Sequence, residues 1–153
     1  MKLKKNALKE FLDSKVDLYN QPSFIKDDPI SVPHLFIKKQ DIEIAGFFAA
    51  IFAWGNRTTI INKATELMQL MDNTPYEFCL THDPGSLKKL MRFKHRTFNT
   101  TDLLYFIEFF KFHYCRHKSL ETAFTRHGST IEEMLSGFHH YFFSLEEAPG
   151  RTK

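Results

Sequence analysis

From residue 44 to residue 54 the chain reads I-A-G-F-F-A-A-I-F-A-W, without one charged or strongly polar side chain. A helix that is apolar on every side is one surrounded by other helices. The pattern predicts such a helix over 41–54, spanning about 21 Å at ~1.5 Å per residue. Its small residues (Ala45, Gly46, Ala49, Ala50, Ala53) let neighbours approach, and its large ones (Phe48 and Trp54 among them) fill the core between them. Gly55 then supplies the left-handed stop. Asn56 or Thr58 caps a second helix whose stripe is Ile60, Ile61, Ala64, Leu67, Met68 and Met71.

The same periodicity accounts for most of the remaining chain. Leu8, Phe11, Leu12, Val16 and Tyr19 share one face of a helix predicted over 4–19. Pro22, Pro29 and Pro33 then punctuate a segment, 20–38, that reads as extended, because proline fixes φ and biases the residue before it away from helix. Thr74 and Glu77 have capping-box spacing, with Pro75 at the first helical position of a short helix through Leu80. Asp83-Pro84 opens another, carrying Leu87, Leu90 and Met91. Thr100 or Thr101 caps a long helix to about His117. Leu103, Leu104, Phe106, Ile107, Phe110 and Tyr114 form its apolar face, and Phe109 and Phe112 fall off that face. Ser119 begins a helix that stops at Gly128, and Thr130 with Glu133 forms a second capping box for a helix through Phe143. Residues 145–153 have no periodicity and read as an unstructured tail. No strand pattern, internal repeat or low-complexity stretch occurs. The fold class is all-α, a multi-helix bundle around a buried central helix, in a single domain over 1–153.

Composition narrows the class further. With 153 residues, 42% hydrophobic and 25% charged, the chain can bury a real core and is not disordered. No apolar run reaches the ~18 residues of a membrane span. The basic N-terminus has no apolar segment behind it, so it is no secretory signal. Two cysteines, Cys79 and Cys115, make no disulfide framework. A cytoplasmic location is the expectation.

Candidate chemistry is sparse. Lys88, Lys89, Arg92, Lys94, His95 and Arg96, interleaved with Phe93 and followed by Phe98, have the make-up of a phosphate-tracking surface. The plainer account is a solvated helix end with cations near its C-terminus. The pivot Trp54-Gly55-Asn56-Arg57 sets an aromatic, a flexible backbone, an amide and a cation beside a helix N-terminus. His113 and His117 stand at i and i+4, a zinc-compatible spacing, but no third ligand can be assembled, so no metal is expected. Cys79 has neither base nor oxyanion site nearby and reads as a structural core cysteine. Glu43 is explained by its place in a helix first turn. Nucleotide-binding glycine motifs and a nucleophile elbow are missing, so no cofactor and no catalytic residue is nominated.

Several motifs together carry a resemblance. They are D-D-P-I-S-V-P-H-L-F, then D-I-E-I-A-G-F-F-A-A-I-F-A-W-G-N-R, L-M-D-N-T-P-Y-E-F and H-R-T-F-N-T-T-D-L-L-Y-F-I-E-F. Over roughly 18–153 the chain resembles an uncharacterised bacterial family, domain of unknown function 2400, common in the Bacteroides group. That resemblance implies a longer protein with a second helical half. The stretch from Trp54 to Thr65 is also similar to the second and third helices of helix-hairpin-helix DNA glycosylases of the endonuclease III type. In that superfamily the loop between these helices wedges the duplex open. The wedge glutamine falls here on Gly55, so Asn56 or Arg57 takes its place. The hairpin and catalytic residues of the superfamily have no counterpart in this chain.

Two readings follow. One is a DNA-binding helical module related to base-excision glycosylases, catalysing nothing by itself. It contacts double-stranded DNA through Asn56, Arg57, Lys63, Lys88, Lys89, Arg92, Lys94 and Arg96. The other is a structural or protein-interaction bundle with no nucleic-acid role, in which Phe109, Phe112 and the aromatics of 138–143 form a partner surface. In either case that aromatic patch is expected to be apolar and exposed, where the chain self-associates or packs on a missing half.

Overall fold

Lys39 to Ile51 coil into the helix around which the others assemble. The computed structural model describes residues 5–150 and is all-helical there: nine α-helices and two 3-10 turns, with no strand beyond an isolated bridge between His95 and Phe98. In order these are α1 (Lys5–Tyr19), α2 (Pro22–Ile25), the 3-10 turns Pro29–Ser31 and Pro33–Leu35, α3 (Lys39–Ile51) and α4 (Arg57–Leu70). Then come α5 (Pro75–Thr81), α6 (Pro84–Lys88), α7 (Thr100–Tyr114), α8 (Glu121–Thr125) and α9 (Ile131–Phe142). Lys4, where the pattern starts the first helix, and the tail residues Arg151, Thr152 and Lys153 lie outside the described residues. Among those described, no helix is long and apolar enough to cross a membrane.

The core is aromatic, and it runs through α3, α7 and α9. Phe48 is fully buried, its ring 5.7–5.9 Å from those of Phe52, Phe106 and Phe110. Phe47 reaches across to Phe110 at 5.4 Å and Phe138 at 5.7 Å. These separations, mostly edge-to-face or tilted, suit the quadrupoles of the rings.

Several expectations are corrected by what packs against what. The central helix stops at Ile51, three residues short of Trp54, and is not enclosed: Ile42, Ala50 and Ile51 are exposed. Its last turn is diverted because the Phe52 carbonyl meets His95 Nε2 at 3.3 Å. Trp54 therefore leaves the core and is 43% exposed. The proline segment is helical rather than extended. Pro22, Pro29 and Pro33 each occupy a first helical position, where the missing N–H costs nothing.

Helix caps differ likewise. Thr74 makes no side-chain cap; the Asp41 carboxylate accepts from Tyr76 N at 2.9 Å and caps α5 from another helix. Thr100 does not cap α7, because its hydroxyl donates to the Met91 carbonyl at 2.9 Å. Asn99 caps it instead, in a capping box with Asp102. The Thr130–Glu133 box forms as expected. Glu43 is not explained by a first-turn position, because α3 begins at Lys39 and its first-turn acid is Asp41. The Glu43 carboxylate accepts from Ser119 Oγ at 2.5 Å, Tyr114 OH at 2.9 Å and Leu120 N at 2.9 Å, tying α3 to α7 and the entry of α8.

The expected aromatic patch is largely packed: Phe109 and Phe142 are buried, and Phe112, Phe138 and Phe143 are partly so. Phe109 is fully buried, its ring 4.5 Å from Phe142, because α9 lies over that side of α7. Phe138 stacks on Phe124 at 4.0 Å, and Phe112 lies under the Arg116 guanidinium at 4.2 Å. The close approach of α8 and α9 needs Gly137, where a Cβ would collide with the His127 ring. Leu145 and Ala148 of the following segment rest against the core without forming a helix. A whole apolar stripe is left in solvent on α1, whose fifteen residues include none that is buried.

Candidate nucleic-acid interface

Two stretches that the chain keeps some forty residues apart meet at Gly55. Gly55 has φ +120°, and a Cβ there would collide with the Arg96 guanidinium. The backbone conformation favours glycine, and a side chain there would displace the guanidinium. Arg96 itself sits in the tight turn closed by paired backbone bonds between His95 and Phe98, each 2.9 Å. Its φ is +55°, a left-handed conformation uncommon for a residue of this kind. The turn carries its guanidinium over the Trp54 ring, 5.1 Å from the centroid. An exposed indole, an exposed guanidinium and bare glycine backbone thus share one surface.

His95 anchors this arrangement from beneath. It is 3% exposed, holds the Phe52 carbonyl, and meets the Trp54 ring edge-on at 6.1 Å. Burial lowers its pKa below the ordinary 6.5, with the charges of Arg96 and Lys63 adding to the effect against the bond to Phe52. Its imidazole is held neutral beside a cationic surface.

The nominated residues divide by what they already touch. Asn56 caps α4, its side-chain oxygen accepting from Thr59 N at 3.3 Å, which leaves its NH₂ outward. Arg57 opens α4 and lies over the Phe24 ring at 5.5 Å. Lys63 is half-buried, 2.7 Å from Glu66 and over the Phe93 ring of the basic stretch. Lys89 is turned to Asp72 at 3.1 Å. Lys88 ends α6, and Arg92 and Lys94 are exposed in the loop after it. These last three form no ion pair with a described carboxylate. The surface therefore gathers Arg57 and Arg96 at the pivot, while Lys63 and Lys89 are partly neutralised. Sequence reasoning missed Trp54 as an outward residue and His95 as its support. The signal available was only that both lie within the nominated motifs, Trp54 in the pivot and His95 in the basic stretch.

The histidine pair takes a different role. His113 Nδ1 meets Tyr141 OH and Nε2 meets the Ser119 carbonyl, each at 3.0 Å, while His117 stacks on its ring at 4.8 Å. Among the described residues no group of three His, Cys, Asp or Glu side chains is placed to hold a metal ion. Cys79 is fully buried, and desolvation drives its thiol pKa far up, with nearby Asp41 adding to it. The thiol is thereby held protonated and out of solvent contact.

No curated protein and no solved structure matches the chain. Residues 28–153 do match the model of one family, the proteins of unknown function DUF2400, from the first proline turn through the aromatic core. The chain belongs to that family.

Proposed function

We propose that the Trp54–Arg57 loop and the 88–96 stretch form one nucleic-acid-binding surface, with double-stranded DNA as the partner. The observation that carries this reading is the seating of Arg96 against Gly55 and Trp54. It joins the two segments and leaves an aromatic ring rimmed by cations. Arg57, Arg96, Arg92 and Lys94 meet phosphates, and Trp54 offers a flat apolar partner to a base or sugar. The left-handed Arg96 supports the same reading, since strained backbone concentrates at functional positions. The resemblance of 54–65 to the DNA glycosylases points the same way. The function is binding; Asp41 and Glu43, the acids of α3, are committed as caps at the other end of that helix.

Trp54 is the single tryptophan, so its fluorescence reads the site directly. Titrating a duplex at two ionic strengths should quench that emission, with modest affinity, little sequence preference and a steep salt slope. Replacing Arg92 and Arg96 together should reduce the slope by about 1.8, at ~0.9 per phosphate contact. No salt-sensitive binding at low salt, or binding that leaves Trp54 emission unchanged, refutes the assignment.

A further inference from the structure

On the face of α3 away from the aromatic core lies an open groove of about 810 Å³. Ile30, Pro33, Phe36, Ile42, Ala50 and Ala53 line it, and Ile30 and Ile42 remain 47% and 38% exposed. α1 presents the complementary feature. Leu8, Phe11, Leu12, Val16 and Tyr19 form its stripe, each 42–56% exposed. An amphipathic helix whose stripe faces solvent and an open apolar groove are present in one chain.

We infer that α1 of one copy docks in the α3 groove of a second copy, and reciprocally, giving a dimer by helix exchange. The groove ends at Gly55 and Arg57, so a docked helix abuts the proposed nucleic-acid surface, but mass measured without duplex tests the pairing separately from duplex binding. Three features favour the second copy as occupant. First, the lengths agree: Leu8 to Tyr19 and Ile42 to Ala53 each cover eleven residue steps, about 16 Å at ~1.5 Å per residue. Second, the groove offers one counter-charge, Asp28, although Arg57 and His34 line it as well. Lys15 sits within the stripe, its ammonium 5.3 Å from the Phe11 ring centroid, and would be buried on docking. Asp28 lines the groove, and of its two carboxylate oxygens Oδ1 takes the Ile30 N–H. The second oxygen supplies the anion that a buried ammonium requires. Third, the area suffices. Side chains of up to ~150–250 Å², about half exposed, lose roughly 400 Å² per stripe, and the groove lining roughly half as much. Reciprocal exchange doubles this to about 1,200 Å², the lower end of specific interfaces. The segment 20–28 that follows α1 leads into the proline turns forming the groove wall, so each exchanged helix starts beside the groove it leaves.

The test uses the full chain and two variants at exposed positions, Phe11→Asp on the stripe and Ala50→Asp in the groove. Molecular mass is followed by light scattering and sedimentation across the micromolar range. The wild type should be dimeric, and each variant should dissociate at least tenfold more readily with unchanged helical circular dichroism. Mixing the two variants restores one intact stripe and one intact groove, so a heterodimer should form where neither variant pairs alone. If Ala50→Asp lowers helicity, Ala53→Asp, beyond the end of α3, replaces it. A wild type that stays monomeric at high micromolar concentration overturns the inference. So does an Ala50→Asp chain that dimerises normally, because stripe would then be pairing with stripe. A mixture that remains monomeric overturns the exchange as well.

Discussion

Glu43 gives the sharpest test of how the helices are joined. If its role were confined to the dipole of α3, removing it would cost about 0.3–1 kcal/mol. The structure gives it three bonds to groups outside its own helix, from Ser119 Oγ, Tyr114 OH and Leu120 N. Hydrogen bonds to a charged acceptor contribute about 1.5–3 kcal/mol each, and a buried donor left unpaired costs ~1–3 kcal/mol. The carboxylate is only 14% exposed, so water reaches the vacated site in part and recovers some of that loss. Glu43→Ala should therefore destabilise by about 3 kcal/mol, measured as the fall in urea midpoint at an unchanged slope. Glu43→Gln, which keeps an acceptor but loses the charge, should fall between the two. Hydrogen exchange should locate the damage at residues 115–120, with the Leu120 amide losing protection first. A loss within 0.5–1 kcal/mol, or one spread evenly over the chain, would return Glu43 to the dipole account.

Other expectations follow from burial and environment. Phe48→Ala should cost about 3–5 kcal/mol, as buried aromatic truncations do, whereas Trp54→Ala should cost under ~1 kcal/mol while weakening duplex binding; comparable losses at both sites would contradict the path of the chain after Ile51. Cys115 is exposed and Cys79 buried, so a thiol reagent should modify only the former in the native protein and both after denaturation; reaction at Cys79 under native conditions would refute its burial. Burial lowers the pKa of both His95 and His113 below 6.5, with Arg96 and Lys63 reinforcing it at the first, and His117 and Arg126 at the second, where Glu43 opposes. A depressed histidine is protonated more readily in the unfolded chain. Its contribution is thus complete above pH 6.5 and declines as the pH falls below that value towards the folded pKa. Urea unfolding at about pH 7.5 and about pH 5.5 should give the lower stability in acid, and less of a difference in a His95→Gln, His113→Gln chain; an unchanged or rising stability in acid would contradict the burial of these rings.

What the sequence determined by itself is local. Apolar residues at helical spacing, the Thr130–Glu133 box and Pro75 and Pro84 at first helical positions act within one or two turns, and they place most of the helices before any contact is made. The basic stretch and the pivot were equally legible as compositions. What tertiary structure decided is where those elements end and which faces they hide. His95, forty-three residues on, draws off the Phe52 carbonyl and turns Trp54 from core to surface. Asp41 caps a helix to which it does not belong, and Met91 takes the hydroxyl that would have capped α7. Phe109 lies off its helix's main stripe yet is buried, because α9 supplies a second face that periodicity within α7 cannot contain. The stripe of α1 is as regular as any in the chain and remains in solvent. A helical pattern fixes the direction in which a side chain points, but burial requires a second surface to meet it, and that surface comes from elsewhere in the sequence.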